Sequence, residues 1–208
     1  MKKIIAINAS PRSGWNTDIL VREAAQGAIS AGAQVEFIDL YKLKSFKGCV
    51  SCFGCKNEAR PGACQFKDDL AEVLQKIREA DGLILGSPVY LGDVTSALRA
   101  LFERLVFPYI TYKTEISSYN THKIPVLFIL TSGASAEFNQ NLLTRYKSTL
   151  DAFVGPTETF ISGDTLQVDN YENYAWTMFD AEKKRERRNT VFPEERKQAY
   201  RLGMEHFT

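Results

Sequence analysis

Cys49, Cys52, Cys55 and Cys64 are the only cysteines of the 208-residue chain, and they fall in one short segment spaced C-x2-C-x2-C-x8-C. Independent core cysteines rarely cluster in this way. Short x2 gaps let a tight loop point several thiolates at one centre, so metal ligation is one reading. Zinc is an alternative, although structural zinc usually takes two separated C-x2-C pairs. Redox-active thiols are another, because neighbouring cations lower a thiol pKa. Reduced thiols packed in a loop are the fourth. Lys42, Lys44, Lys47, Lys56, Arg60 and Lys67 surround the segment against a single acid, Glu58. That local excess favours anionic sulfur or an anionic ligand.

Three further stretches combine hydroxyls, amides and glycine in the way a ligand-binding loop does. Ser10-Pro11-Arg12-Ser13-Gly14-Trp15-Asn16-Thr17 stands directly before a predicted helix. A helix N-terminus offers unpaired N–H groups and the positive end of a dipole, and Ser10, Arg12, Ser13, Asn16 and Thr17 add side-chain donors. This is a phosphate cradle built without lysine, and equally an ordinary cap. The second stretch, Ser87-Pro88-Val89-Tyr90-Leu91-Gly92-Asp93, sets an aromatic residue between turn formers, a backbone suited to a flat ring. The third, Thr131-Ser132-Gly133-Ala134-Ser135, permits close backbone approach at Gly133.

Other chemistries lack their residues. G-x-G-x-x-G does not follow the first strand, and G-x-x-x-x-G-K-[ST] and a G-x-S-x-G elbow are absent. Only His122 and His206 are available for acid–base or nucleophilic work, and both are expected to be solvated. Lys+Arg 26 against Asp+Glu 25 leaves a net charge of +1, which argues against a nucleic-acid backbone as partner. No apolar run reaches the length of a membrane span. Met1–Asn8 reads as a strand rather than a signal peptide, and the expected location is the cytoplasm.

The elements that must position these residues alternate. Strands are predicted at Ile4–Ala9, Val35–Leu40, Gly82–Gly86, Ile124–Leu130 and Thr157–Ile161. Helices are predicted from Asn16 or Thr17 to Ser30, from Asp68 or Asp69 onward, from Thr95 to Leu105, through Phe138–Phe153, and from Pro193 to His206. Leu70, Val73, Leu74 and Ile77 form one apolar stripe. The charged run Glu182–Arg188 reads as a solvated helix face. Strands alternating with helices imply a parallel α/β sheet, doubly wound, in one domain over residues 1–208 with a C-terminal extension from about 165. Ligands of such sheets bind at the carboxyl ends of the strands, where the three loops lie.

On these motifs the chain resembles the flavodoxin-like NAD(P)H-dependent FMN reductases. Ser10-Pro11-Arg12 with Asn16-Thr17, Gly86-Ser87-Pro88-Val89-Tyr90, and Glu103-Arg104 carry the resemblance, with Met178-Phe179-Asp180 and Val191-Phe192-Pro193 in the tail. It implies a flavodoxin-like, five-stranded parallel sheet with helices on both faces. It implies FMN, with its phosphate on Ser10, Arg12, Asn16 and Thr17, its ring on Pro88, Val89, Tyr90, Leu91 and Gly92, and Thr131, Ser132, Gly133 and Ala134 closing the other side. NAD(P)H would be the electron donor, and a quinone, nitroaromatic or similar small molecule the acceptor. The flavin carries the chemistry, so no catalytic side chain is assigned. Phe107, Tyr109, Tyr112 and Tyr119 are candidates for the pocket wall, or else for a subunit interface or core. Cys49, Cys52 and Cys55 resemble the compact motif of iron–sulfur flavoproteins, a branch of this family. Cys64 follows a longer gap than in that branch. The resemblance makes the four cysteines candidate ligands of a [4Fe-4S] cluster on the flavin side of the sheet. An electron carrier serving a ferredoxin-like redox partner is the alternative function, and a homodimer or homotetramer is expected.

Overall fold

The computed structural model describes residues 1–208. β1 (Lys3–Asn8) is buried along nearly its whole length, as the unbroken run Ile4-Ile5-Ala6-Ile7 requires of a central parallel strand. α1 (Asn16–Ser30) follows, then β2 (Gln34–Asp39) at one sheet edge. α2 (Asp69–Arg78) starts where Asp68 accepts the N–H of Leu70, and it buries the predicted stripe. β3 (Gly82–Tyr90) comes next, with a two-residue strand β4 (Asp93–Val94) and then α3 (Ser96–Tyr109). β5 (Val126–Thr131), α4 (Gln140–Phe153), β6 (Thr157–Ser162), α5 (Ala181–Thr190) and α6 (Phe192–His206) complete the chain.

The parallel strands run in the order β2-β1-β3-β5-β6, and β4 pairs antiparallel with the end of β3. Alternate residues of one strand face opposite sides. Ile5, Ile7, Leu83, Leu85, Val126 and Phe128 join α2, α3 and α4 in one core. Ile4, Ala6, Ile84, Leu127 and Ile129 join α1 and α6 in the other. α6 lies so close to α1 that a Cβ on Gly27 would stand 1.9 Å from the Tyr200 carbonyl oxygen, and one on Gly203 1.9 Å from that of Ala24. Only glycine fits at this crossing. No helix is long and apolar enough to cross a membrane.

Several expectations are corrected. β3 does not stop at Gly86 but continues through Tyr90, because Ser87 and Pro88 pair with β5, and Val89 and Tyr90 with β4. α3 runs on to Tyr109 with Pro108 inside its last turn. Phe138 lies in a short 3-10 turn, Glu137–Asn139, ahead of α4, and is exposed. His206 is not solvated: its Nε2 is buried without a partner, and burial pushes its pKa down. The run Glu182–Arg188 is helical, but not wholly solvated, since Lys184 is buried and Arg187 and Arg188 are partly covered.

Candidate functional site

β1 has β2 on one side and β3 on the other, so the chain's strand order reverses there. A crevice at the carboxyl ends of the strands is expected at such a switch point. A cleft of about 680 Å³ lies there. All the predicted cofactor residues of the first three loops line it except Ser13, which is exposed outside it.

A buried polar network shapes the first loop. Asn8, at the end of β1, donates to Asp39 (2.8 Å) and Asp18 (3.3 Å) and accepts the N–H of Ser10 (3.0 Å). Burial opposes ionisation of Asp39, but hydrogen bonds from Lys42 and Asn8 win and hold its carboxyl below the usual range. Asp18 accepts the N–H of Gly14 at 2.6 Å, where φ is +68°. The loop therefore turns back onto α1 through a residue type that tolerates this backbone. Trp15 occupies the N-cap position without a side-chain cap, so the first N–H groups of α1 are left for another acceptor. Arg12 stacks 3.9 Å from the Trp15 ring centroid and donates to the Gln167 carbonyl at 2.6 Å.

The second loop is a hairpin. Tyr90 and Asp93 pair across it, and Leu91 and Gly92 have φ of +51° and +75°, the pattern of a type I′ turn. Leucine in the left-handed region carries strain, and its side chain stands wholly exposed at the cleft. Burial, with Tyr41 nearby, pushes the Tyr90 phenol up, while Arg12 opposes the shift. Thr95 joins this loop to the first: its hydroxyl donates to the Ala9 carbonyl (2.9 Å) and accepts the N–H of Leu98 (3.3 Å). In the third loop the Thr131 hydroxyl meets that of Thr17 at 2.7 Å, and Ser132 accepts from Ala134 and Asn139.

The sequence reading missed a whole wall. Thr165–Val168, Trp176, Met178 and Phe179 line the cleft, from the segment assigned to the tail. Asn16 Nδ2 donates to the Leu166 carbonyl (2.8 Å), and Thr165 donates to Ser132. Tyr174 and Trp176 stack at 4.4 Å, with Tyr171 and Phe179 edge-on to Trp176. The aromatic density of residues 171–179 was the available signal. The aromatics proposed instead lie elsewhere. Phe107 borders the cysteines, Tyr109 is core, and neither Tyr112 nor Tyr119 reaches the cleft.

All four cysteines border one small cavity of about 20 Å³, although no three Cys, His, Asp or Glu side chains stand close enough to hold a metal ion. Left-handed backbone at Ser51 and Phe53 curls the loop. Cys55 is buried, which pushes its thiol up, while Cys49 and Cys52 are exposed. Arg104, fully buried, clamps the segment: it donates to Asp68 (2.6 and 2.7 Å), to the Lys47 and Phe66 carbonyls and to Cys64 Sγ (3.4 Å). Glu103 accepts the Cys49 N–H at 3.1 Å. Lys56 donates to the Phe107, Pro108 and Ile110 carbonyls at the end of α3. The cavity and the cleft share no lining residue. The cysteines therefore border a cavity of their own rather than the wall of the cleft.

The cleft has a polar end at the α1 N-terminus and a flat, apolar end between Pro88–Leu91 and the aromatic wall. Its volume lies within the range of cofactor pockets. These residues fit a ligand with a phosphate at one end and a flat ring at the other. Fold and cleft thus define a doubly wound α/β protein with an open cleft at its switch point. Residues 2–166 match the NADPH-dependent FMN reductase family, and the chain belongs to that family. An iron–sulfur flavoprotein of Methanocaldococcus jannaschii is 46% identical over 102 residues, 49% of this chain and 51% of that one. This chain spans about half the length of the curated relatives it matches. Among solved structures, an azoreductase from Bacillus anthracis superposes with a TM-score of 0.70 at 13% identity, covering 99% of this chain and 100% of that one. An NAD(P)H:quinone oxidoreductase from Methanothermobacter marburgensis gives 0.68 at 16% identity, covering 98% and 94%. These two likenesses establish the flavodoxin-like fold.

Proposed function

We propose that the protein is an FMN-dependent oxidoreductase that takes reducing equivalents from NAD(P)H and delivers them to a quinone, a nitroaromatic or a similar flat acceptor. The observation that carries this reading is the change of chemistry along one cleft, from the α1 N-terminus to the aromatic wall. Ser10, Arg12, Asn16, Thr17 and the first N–H groups of α1 would hold the phosphate. Stacking on Trp15 and the bond to Gln167 keep Arg12 in place before any ligand arrives. Pro88–Gly92 would support the ring, with Thr131–Ala134 opposite. Bound FMN would supply the hydride and electron transfer, which is why the cleft needs no acid–base pair. Trp176 and Phe179 offer a face on which a flat acceptor can stack while water is excluded. Tyr90, Phe138 and Met178 leave exposed apolar surface at the rim, which a second copy would cover in a homodimer or homotetramer.

A second reading is favoured by one observation, the four cysteines around a common cavity. The thiol set and the cations Arg104 and Lys56 suit an iron–sulfur cluster, and the similar archaeal proteins are named iron–sulfur flavoproteins. No three of these thiols stand close enough to hold a metal ion, so the exposed Cys49 and Cys52 would have to turn inward to ligate. In that form the protein would relay electrons to a ferredoxin-like partner. Anaerobic purification tests both readings. The first expects a yellow protein that binds FMN and oxidises NAD(P)H with a quinone present. A colourless protein that fails to bind added FMN overturns it. Iron and sulfide analysis of the same sample decides the second.

A further inference from the structure

α5 carries seven charged residues, and one of them, Lys184, is buried at 9% exposure while its neighbours Lys183 and Arg185 face solvent. Its ammonium donates to the Gly133 carbonyl at 2.8 Å and to Asp164 at 3.3 Å. Asp164 is half exposed, so solvent screens part of its charge. A buried ammonium gives up its hydration, and its bonds to Gly133 and Asp164 must offset that cost. Gly133 belongs to the loop that closes the cleft, and a Cβ there would meet the Gln167 side chain at 2.6 Å. The Gly133 peptide is thus caught between Gln167 and Lys184. Lys184 also borders a second compartment of about 410 Å³ that shares Gly133, Met178 and Phe179 with the cleft. Asp164, Asp180, Lys183 and Arg187 complete the ionisable lining of that compartment, and Arg187 is occupied by Glu195 at 2.6 Å.

We infer that Lys184 is a positioning residue that fixes the 131–134 wall through the Gly133 carbonyl and places a positive charge behind it, so that the cleft holds reduced FMN more tightly than oxidised FMN. This role rests on the FMN reading above. α5 lies beyond the span that matches the family, and the charge comes from the C-terminal segment alone. Reduction adds electron density to the ring, and a fixed cation across one peptide favours the more negative form.

The experiment compares wild type, Lys184→Met, Lys184→Arg and Asp164→Asn by FMN titration and by the midpoint potential of bound FMN. Lys184→Met is expected to bind oxidised FMN nearly as wild type does but reduced FMN about tenfold more weakly. For a two-electron couple that tenfold change lowers the potential by about 30 mV. Lys184→Arg is expected to restore most of the difference. Asp164→Asn, a surface change, should shift the potential the opposite way and serves if Lys184→Met does not fold. Wild type that binds no FMN overturns the functional reading and this role with it. Variants that bind FMN at an unchanged potential overturn this role alone.

Discussion

The hydroxyl of Tyr146, in the middle of α4, donates to Asp93 Oδ1 at 2.8 Å. Asp93 closes the hairpin whose tip, Leu91-Gly92, forms the second wall of the cleft. Arg145 holds the other Asp93 oxygen at 3.2 Å. A helix on one face of the sheet thereby fixes a loop at its end. Burial, reinforced by Asp93, pushes the Tyr146 pKa up to about 12. The folded protein then keeps this proton over a pH range where the unfolded chain, near pH 10, has lost it. Stability from this group is complete below about pH 10 and falls as pH rises toward about 12. Thermal melts across that window should show a shallower decline for Tyr146→Phe than for wild type. At neutral pH the variant should lose about 1 kcal/mol. Parallel pH profiles would remove the argument.

Arg104 and Asp68 form the most deeply buried ion pair, and Arg104 also ties Lys47, Phe66 and Cys64 together. Removing one partner leaves an uncompensated buried charge, which costs about 3–5 kcal/mol. Arg104→Ala should lower the urea midpoint accordingly and free the cysteine loop. Reaction of Cys64 and Cys55 with a thiol reagent should accelerate, while that of Cys49 and Cys52 stays nearly constant because both are already exposed.

The Thr17 and Thr131 hydroxyls, 2.7 Å apart, join the α1 end of the cleft, proposed to hold the phosphate, to its third loop. Thr17→Val keeps the shape and removes the donor. FMN affinity should drop by about tenfold, the weight of one hydrogen bond to a charged group. The melting temperature without ligand should change little by comparison. A fluorescence titration giving the wild-type dissociation constant would exclude Thr17 as a phosphate contact.

Cleft and cysteine cavity have separate linings. Replacing Cys49 and Cys52 by serine should therefore abolish any bound iron without weakening FMN binding. Parallel loss of FMN would mean that the two sites meet in an assembly.

Trp176 lines the cleft and stacks on Tyr174. Trp176→Ala should raise KM for a flat acceptor by about three- to tenfold, with the KM for NAD(P)H changed less, since a lost aromatic contact is worth about 0.5–1.5 kcal/mol. Steady-state kinetics varying one substrate at a time would show it.

Much of the scaffold was legible because its signals are local. The run Ile4–Ile7, the stripe Leu70-Val73-Leu74-Ile77 and the caps at Asp68 and Thr95 each depend on residues a few positions apart. The three loops could be placed at one end of the sheet because parallel strands put their carboxyl ends together. Ser13 sits in the right motif yet faces outward, since loop orientation depends on the Asn8–Asp18–Gly14 bonds rather than on residue type. The extension of β3 through Tyr90 went unread because its partners, β4 and β5, supply the bonds that Pro88 and the turn residues seemed to forbid.

By itself the sequence determined an alternating α/β chain, three loops that share one end of the sheet and a single group of four thiols. Periodicity, capping and motif spacing act over one or two turns and need no partner. Only the tertiary structure decided which distant segments meet. Arg12 finds the carbonyl of Gln167, Asn16 finds Leu166 and Arg188, and Lys184 finds Gly133, across separations of 51 to 172 residues. Those contacts turn an apparent tail into the fourth wall of the cleft, while the cysteines border a separate cavity against the end of α3. The reason is physical: backbone carbonyls look alike in any sequence, and packing of the two cores selects which of them a buried cation reaches.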